Sequence, residues 1–362
     1  MVLMVTTVAL LLISLIVLGV VLCVGGFESN PPLVEDDADT PTTTQKPKPS
    51  TDASQPSSLL KQKTTIKIPS TTATGNYIST SNGFTIDGVK STYAIVVDLA
   101  SNQALATKNA DVPAYPASLT KVMTLLVACE NVKNATDLLT VTQEMVDYHR
   151  DTGGSGSLSF VAGESITVED ALHLVNYNSD TVACLLLANY VTGKATIAEG
   201  EAAFVELMNQ KAKDIGLTGT SFKNCTGLHD PDHFTTARDM AAIMKAALSN
   251  SAAKAVLTAY QGYSVSIYQI VNGKPSLLRA PTVYAGWYST RLKDNAWVGN
   301  GSDMQFMGGK TGNTDEANSC FATVAIDTKT NKQYVCVTMD APLNLDSTND
   351  NRIIYRNYAE GK

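Results

Sequence analysis

Hydrophobic and polar positions in the C-terminal two thirds of the chain follow two different periods. Apolar runs predict strands at residues 92–98 and 103–107, joined by a turn at residues 100–102. The same pattern returns near the other end, at residues 321–327 and 333–339, with a polar turn between them that indicates an antiparallel hairpin.

Between these strands the period changes to that of amphipathic helices. Apolar residues three and four positions apart predict helices, as at Val122, Leu125, Leu126 and Cys129. Strands at both chain ends with helices between them predict an α+β fold, with an antiparallel sheet from both ends packed against a helical cluster. The predicted helices are 118–130, 168–178, 181–190, 202–215, 235–249 and 349–360.

The N-terminal part of the chain has a different composition. Residues 1–27 contain no charged side chain and include about 20 apolar positions, which is enough for a helix to span a bilayer. Residues 28–75 are rich in Thr, Ser, Pro and Lys and are predicted to be a disordered linker. We expect a membrane anchor at 1–27, with a cleaved signal as the alternative, and a globular domain at 76–362 outside the cytoplasm.

Charge and cysteine content narrow the possible partners and cofactors. The net charge of −7 and the pI near 5.2, without a basic run, argue against nucleic acid. None of the six cysteines lies in a C-x-x-C pair, and His229 and His233 lie in a proline-containing loop unlike a metal-binding helix. We expect no metal and no cofactor. Cys320 and Cys336 lie on neighbouring predicted strands, and whether they pair stays open.

Ser118 and Lys121 form the first candidate catalytic pair. Three residues apart, they lie on one face of the predicted helix. A serine hydroxyl needs an adjacent base to become a nucleophile, and a lysine is a base only when its pKa is lowered. Burial and a second cation, for which Lys310 is the candidate, both lower a lysine pKa.

Two further motifs follow in chain order, Ser179-Asp180-Thr181 and Lys310-Thr311-Gly312. S-x-x-K with S-D-N and K-T-G is the signature of penicillin-binding proteins and class A β-lactamases. The segments around the motifs, from about Ile86 to Met339, resemble the serine-type D-Ala-D-Ala carboxypeptidases, the low-molecular-mass penicillin-binding proteins. The four similar segments are residues 116–124, 153–170, 224–241 and 308–317.

The resemblance implies a β-lactamase/DD-peptidase-like fold and a role for each motif residue. Ser118 would be the acylated nucleophile, Lys121 its general base, and Ser179 a proton shuttle to the leaving group. The other site residues would bind substrate. Lys310 and Thr311 would bind its terminal carboxylate, and Gly312 would lie beside its backbone. Asn313 would form the oxyanion hole with Ser118, and Thr181 would be a further substrate-binding residue.

Thr181 departs from the family's Ser-x-Asn motif, because threonine has no amide carbonyl and a single donor. If it occupies the asparagine position, one substrate contact is lost and Thr181→Asn should speed acylation. The alternative is that Asn178 supplies the contact.

The implied function is a penicillin-sensitive D,D-carboxypeptidase that removes the terminal D-alanine from peptidoglycan stem peptides, with β-lactams as inhibitors. A β-lactamase is the first alternative, although no Asp or Glu occurs between Ile215 and His229 to act as a deacylation base. A non-catalytic wall-binding or sensor domain is the second, supported only by Thr181. Transpeptidation also stays open, because it shares the acyl-enzyme.

Overall fold

The computed structural model describes residues 78–79, 83–259, 262–284 and 301–361. All of them belong to a compact unit, Thr64–Lys362. The predicted anchor at 1–27 and linker at 28–75 lie outside the described residues. Among the described residues, no single helix combines the length and apolar composition needed to cross a membrane; Thr181–Thr192 and Ile197–Ile215 do so only as a pair, bent by 77°.

The main sheet has six strands in the order β1-β3-β2-β12-β11-β10, so strands from both parts of the chain meet at its centre. There β2 pairs antiparallel with β12, and Val96 lies opposite Cys336. The predicted sheet is thus confirmed, with one parallel pair, β1 with β3, at its edge. The strands are β1 (Phe84–Thr85), β2 (Tyr93–Asp98), β3 (Gln103–Lys108), β10 (Met304–Thr314), β11 (Asn318–Asp327) and β12 (Gln333–Ala341).

Two small sheets were not predicted from the sequence. One has four strands in the order β4-β5-β7-β8, and the other pairs β6 with β9. Most of these strands are too short to produce a clear alternation of apolar and polar residues. They are β4 (Leu138–Thr140), β5 (Ser165–Thr167), β6 (Tyr263–Ser264), β7 (Ile267–Val271), β8 (Lys274–Arg279) and β9 (Thr282–Val283).

All six predicted helices are present, with shifted ends. Two further helices, α2 and α7, were missed, although side chains cap both: Thr142 accepts from Met145 N–H and Asn250 from Ala252 and Ala253 N–H. The helices are α1 (Thr120–Asn131), α2 (Gln143–Asp151), α3 (Val168–Tyr177), α4 (Thr181–Thr192), α5 (Ile197–Ile215), α6 (Ala237–Ser249), α7 (Ser251–Thr258) and α8 (Asn344–Tyr358).

The central strands are covered on both faces. Every residue of β2 is buried, as expected for a strand packed between two layers, because a strand with one solvent-exposed face would alternate buried and exposed residues. Helix α6 packs against β2 and β12, and α8 packs against β11 and β12. Thr323 on β11 donates a buried 2.7 Å hydrogen bond to Asn351 Oδ1 on α8, which fixes this helix on the sheet.

Cys320 and Cys336 are both free thiols. They lie on the adjacent strands β11 and β12, but Cys336 is opposite Thr323 and Cys320 is opposite Gly312 on β10. The strand register therefore separates the two cysteines that the sequence placed on neighbouring strands.

Candidate active site

Ser118 lies in a tight turn that precedes the helix. It is the middle residue of a 3-10 turn, Ala117–Leu119, and α1 begins only at Thr120, two residues later than predicted. Ala117 has a positive φ of 47°, which an L-residue rarely adopts and which turns the chain sharply before the serine. The predicted pairing nevertheless holds, because Lys121 Nζ donates to Ser118 Oγ over 3.1 Å.

Lys121 has only 2% of its surface exposed. Burial lowers the pKa of its ammonium below the ordinary value, and nearby Cys184, Cys225 and Asp180 partly oppose this shift. Its Nζ donates to two further acceptors, Ser155 Oγ at 3.3 Å and the carbonyl oxygen of Thr226. Lys121 therefore has the lowered pKa that a general base requires and a fixed position beside the serine.

The Lys310-Thr311-Gly312 motif lies on β10, the edge strand of the main sheet. Its approach to the serine depends on glycine. A Cβ atom on Gly312 would lie 2.8 Å from the carbonyl oxygen of Pro116 and 3.0 Å from Ser118 N. Strand β10, the last strand of the described sheet, therefore passes directly beside the backbone N–H of Ser118, and an edge strand is where extended peptides commonly pair with a sheet.

Lys310 joins the strand to the second motif. Its Nζ donates to Ser179 Oγ over 3.1 Å and to the carbonyl oxygen of Thr311 over 2.8 Å. Burial lowers its pKa well below the ordinary value, and the positive charge of Lys121 lowers it further. The charged form of Lys310 is therefore strongly disfavoured, whereas burial is the cause that lowers the pKa of Lys121.

Ser179 occupies a strained turn between α3 and α4. Its φ is +55°, in the left-handed region that serine rarely adopts. The next residue, Asp180, is 1% exposed and caps α4 by accepting from Ala183 N–H over 2.9 Å. Burial raises the pKa of this carboxyl to about 7, against the opposing effects of Lys121 and its N–H donors.

Thr181 is fully buried at the start of α4 and faces the loop of Ser155. Its hydroxyl accepts from Ser155 N–H over 3.0 Å, and its own N–H donates to Ser155 O over 2.8 Å. Asn178, the alternative source of the missing contact, donates to Ser157 Oγ over 2.6 Å. Both side chains thus bind the loop at residues 153–157.

The remaining predicted substrate-binding residues line the same strand. Thr311 is half-buried, and Asn313 is exposed, with its side-chain amide donating to Asn344 Oδ1 at the start of α8 over 3.0 Å. The structure therefore brings Ser118, Lys121, Ser179, Lys310 and Gly312 together directly.

Two contributors to the site were missed from the sequence, Ser155 and the carbonyl of Thr226. Ser155 lies in a Gly/Ser-rich loop where several serines are equivalent by sequence. Thr226 acts through its backbone, which carries no side-chain signal. Gly227, with a φ of +80°, indicates a close approach in hindsight, because a Cβ there would lie 2.1 Å from Ala117 O.

His233 supports the turn that carries Ser118. Its Nδ1 accepts from Lys223 N–H over 3.3 Å, so Nε2 carries the proton and donates to Thr120 Oγ1 at 2.8 Å. Thr120 in turn donates to Ala117 O over 2.8 Å. Burial lowers the pKa of His233 to about 4 and keeps the ring neutral. Within the described part of the chain, no cluster of three or more His, Cys, Asp or Glu side chains is arranged to hold a metal.

The sequence family described as D-alanyl-D-alanine carboxypeptidase matches residues 80–343. D-alanyl-D-alanine carboxypeptidase DacC of Escherichia coli K12 is 38% identical over 157 residues, which cover 42% of this chain and 38% of DacC. DacF of Bacillus subtilis 168 is 28% identical over 257 residues, 68% of this chain and 57% of DacF. The matched regions thus span less than two thirds of either relative.

Solved structures of low identity share the fold. The crystal structure of the Streptomyces K15 DD-transpeptidase has a TM-score of 0.65 at 22% identity, covering 74% of this chain and 97% of that one. Penicillin binding protein 5 from Haemophilus influenzae has a TM-score of 0.61 at 22% identity, covering 76% and 72%. The predicted DD-peptidase-like α+β fold is therefore confirmed.

Proposed function

The chain belongs to the D-alanyl-D-alanine carboxypeptidase family, and on that premise we propose that it is a penicillin-sensitive serine D,D-carboxypeptidase. Its substrate is the peptidoglycan stem peptide ending in D-Ala-D-Ala, and β-lactams acylate the same serine. The observation that carries the proposal is the hydrogen bond between Lys121 Nζ and Ser118 Oγ, with Lys121 buried and Lys310 nearby.

Acylation proceeds from this pair. Ser118 Oγ attacks the carbonyl carbon of the penultimate D-alanine, and its proton passes to neutral Lys121 Nζ. The backbone N–H groups of Ser118 and Asn313 hold the oxyanion, and each such donor is worth roughly 3 kcal/mol of transition-state stabilisation. The peptide C–N bond breaks, and the leaving amine of D-alanine receives a proton through Ser179.

Deacylation uses the same groups in reverse. Water attacks the ester carbon and gives a proton to Lys121, the bond to Ser118 Oγ breaks, and the serine regains its proton. No cofactor takes part in these steps. An amine acceptor in place of water would give transpeptidation from the same acyl-enzyme.

Substrate orientation falls to β10. Lys310 and Thr311 bind the terminal carboxylate of the peptide, and Gly312 lets the substrate backbone lie along the strand edge. Lys310 is suited to this role because an incoming carboxylate would offset the burial that disfavours its ammonium. Thr181 contributes indirectly, since its hydroxyl is bound to the Ser155 loop.

The test is covalent labelling combined with product release. Intact-mass spectrometry after penicillin treatment should show one added drug on the wild type and none on Ser118→Ala. Ser157→Ala, an exposed serine on the neighbouring loop, is the matched control and should be labelled like the wild type. The wild type and Ser157→Ala should also release D-alanine from a peptide ending in D-Ala-D-Ala, and Ser118→Ala should not. An unlabelled wild type would contradict the proposal, and rapid release of hydrolysed drug would favour a β-lactamase.

The proposal includes attachment to the cell membrane through residues 1–27, with residues 28–75 as a linker and the catalytic domain at 76–362 outside the cytoplasm. Its support is the uncharged apolar composition of the first segment. N-terminal sequencing of the native protein tests it. A chain that begins at residue 1 or 2 is expected, whereas a mature start near residue 27 would mean a cleaved signal.

A further inference from the structure

Lys121 Nζ contacts three oxygen atoms that differ in their ability to donate. The carbonyl oxygen of Thr226 only accepts. Ser155 Oγ also only accepts from Lys121, at 3.3 Å, because its own hydrogen is donated to the carbonyl oxygen of Ser179. Ser118 Oγ, at 3.1 Å, is the partner that has a hydrogen to give.

This asymmetry determines how a neutral lysine is oriented. A neutral amine has two hydrogens and one lone pair in a tetrahedral arrangement. If its two hydrogens are donated to Ser155 Oγ and Thr226 O, the lone pair is directed at Ser118 Oγ–H. We propose that Ser155 is a positioning residue of the proposed carboxypeptidase reaction: its hydroxyl orients the lone pair of Lys121 toward the nucleophile.

Ser155 is held in place well enough for this role. Thr181 binds its backbone in both directions, by an N–H donated to Ser155 O and by a hydroxyl that accepts from Ser155 N–H. The Ser155 hydroxyl is itself bound to the strained turn at Ser179. Threonine at position 181, where the family motif has asparagine, therefore acts on the base through Ser155.

Ionisable groups also surround Lys121, whereas the Ser155 hydroxyl is neutral. Asp180 faces it from the turn before α4 and Cys184 from α4 itself. Cys225 faces it from the loop before Thr226, and Lys310 from β10. Removing the neutral Ser155 hydroxyl takes away an acceptor that stabilises the ammonium form, which lowers the pKa of Lys121. Mere loosening of the site would admit water, reduce the effect of burial and raise that pKa.

The experiment compares Ser155→Ala, Ser155→Thr and Ser157→Ala with the wild type. The rate of acylation by penicillin is measured from pH 5 to pH 10, with D-alanine release at the plateau. Losing one such hydrogen bond should slow acylation by Ser155→Ala about 10-fold and shift the acidic limb of its profile to lower pH. Ser155→Thr, which keeps the hydroxyl, should recover most of the rate. Ser157, which binds Asn178, is the control, and Ser157→Ala should acylate like the wild type.

Ser155→Cys serves if the alanine variant does not fold, because a thiol keeps the side-chain volume but is a weak acceptor; it should also be slow. Acylation of Ser155→Ala or Ser155→Cys at the wild-type rate overturns the assignment, and so does a slow variant whose acidic limb moves to higher pH. A wild type that is never acylated overturns the proposed function itself, including the role of Lys121 as base. Failure of the Ser155 assignment is therefore distinguishable from failure of the proposed function.

Discussion

Ser155 and Thr181 are bound to each other in both directions. Thr181 N–H donates to Ser155 O over 2.8 Å, and Ser155 N–H donates to Thr181 Oγ1 over 3.0 Å. The pair joins a Gly/Ser-rich loop to the first residue of α4, and it places the Ser155 hydroxyl between Lys121 and Ser179. The residue that departs from the family motif is thus part of the structure that surrounds Lys121.

This placement changes the expected effect of Thr181→Asn. The threonine is fully buried and its hydroxyl accepts from Ser155 N–H, so an amide at this position replaces the group that binds the loop. We expect Thr181→Asn to slow acylation about 10-fold through loss of the loop contact. Thr181→Ser keeps the hydroxyl and is the matched control. Faster acylation by Thr181→Asn would instead mean that position 181 contacts substrate.

Lys121→Ala should fold but lose acylation. Removing a general base typically costs ~10²–10⁴-fold in rate, and Lys121 has the buried position and lowered pKa that this role needs. The measurement is the rate of penicillin labelling, with circular dichroism to confirm the fold. Lys133→Ala, on an exposed lysine, controls for loss of charge. Labelling of Lys121→Ala at the wild-type rate would place the base elsewhere.

Gly312→Ala should impair the site more than the fold. The added methyl would lie 2.8 Å from Pro116 O, so β10 must move away from the turn that carries Ser118. We expect acylation to fall at least about 10-fold, as for a loss near 1.4 kcal/mol in the transition state. Kinetics of penicillin labelling together with thermal unfolding would show this. A variant that keeps its activity would mean that the strand edge does not set the geometry at Ser118.

Asp180→Asn should change the pH dependence of stability. The native pKa of Asp180, about 7, lies above the ordinary 3.8, so its buried carboxyl stabilises the fold least when ionised. The stabilisation from the protonated Asp180 carboxyl is fully present below pH 3.8 and is lost as the pH rises through 7. Asparagine is an equally good helix cap. We therefore expect the free energy of unfolding of Asp180→Asn, relative to that of the wild type, to increase by at least about 1 kcal/mol between pH 4 and pH 9. Denaturant unfolding measures this difference. A pH-independent difference would contradict a raised pKa.

Local residue patterns were enough to predict the candidate catalytic pair and the outline of the fold. The spacing of Ser118 and Lys121 is local, and three residues along a turn bring their side chains together whether the turn is 3-10 or α-helical. The long strands and helices were predictable for the same reason, since their apolar period is written in consecutive residues. Short strands such as β4 and β5 were missed, because three residues are too few to define a period.

The way in which Lys121 is held depends on contacts between distant parts of the chain. Lys121 and Lys310 are 189 positions apart, and their buried proximity depends on pairing of strands from both parts of the chain. Ser155 reaches Lys121 from a loop in which no residue pattern distinguishes it from Ser157. Thr226 contributes a backbone carbonyl, which every residue type possesses. Such contacts arise from long-range packing and leave no local signal in the sequence. Reacting groups must be of particular residue types, so they are visible as motifs.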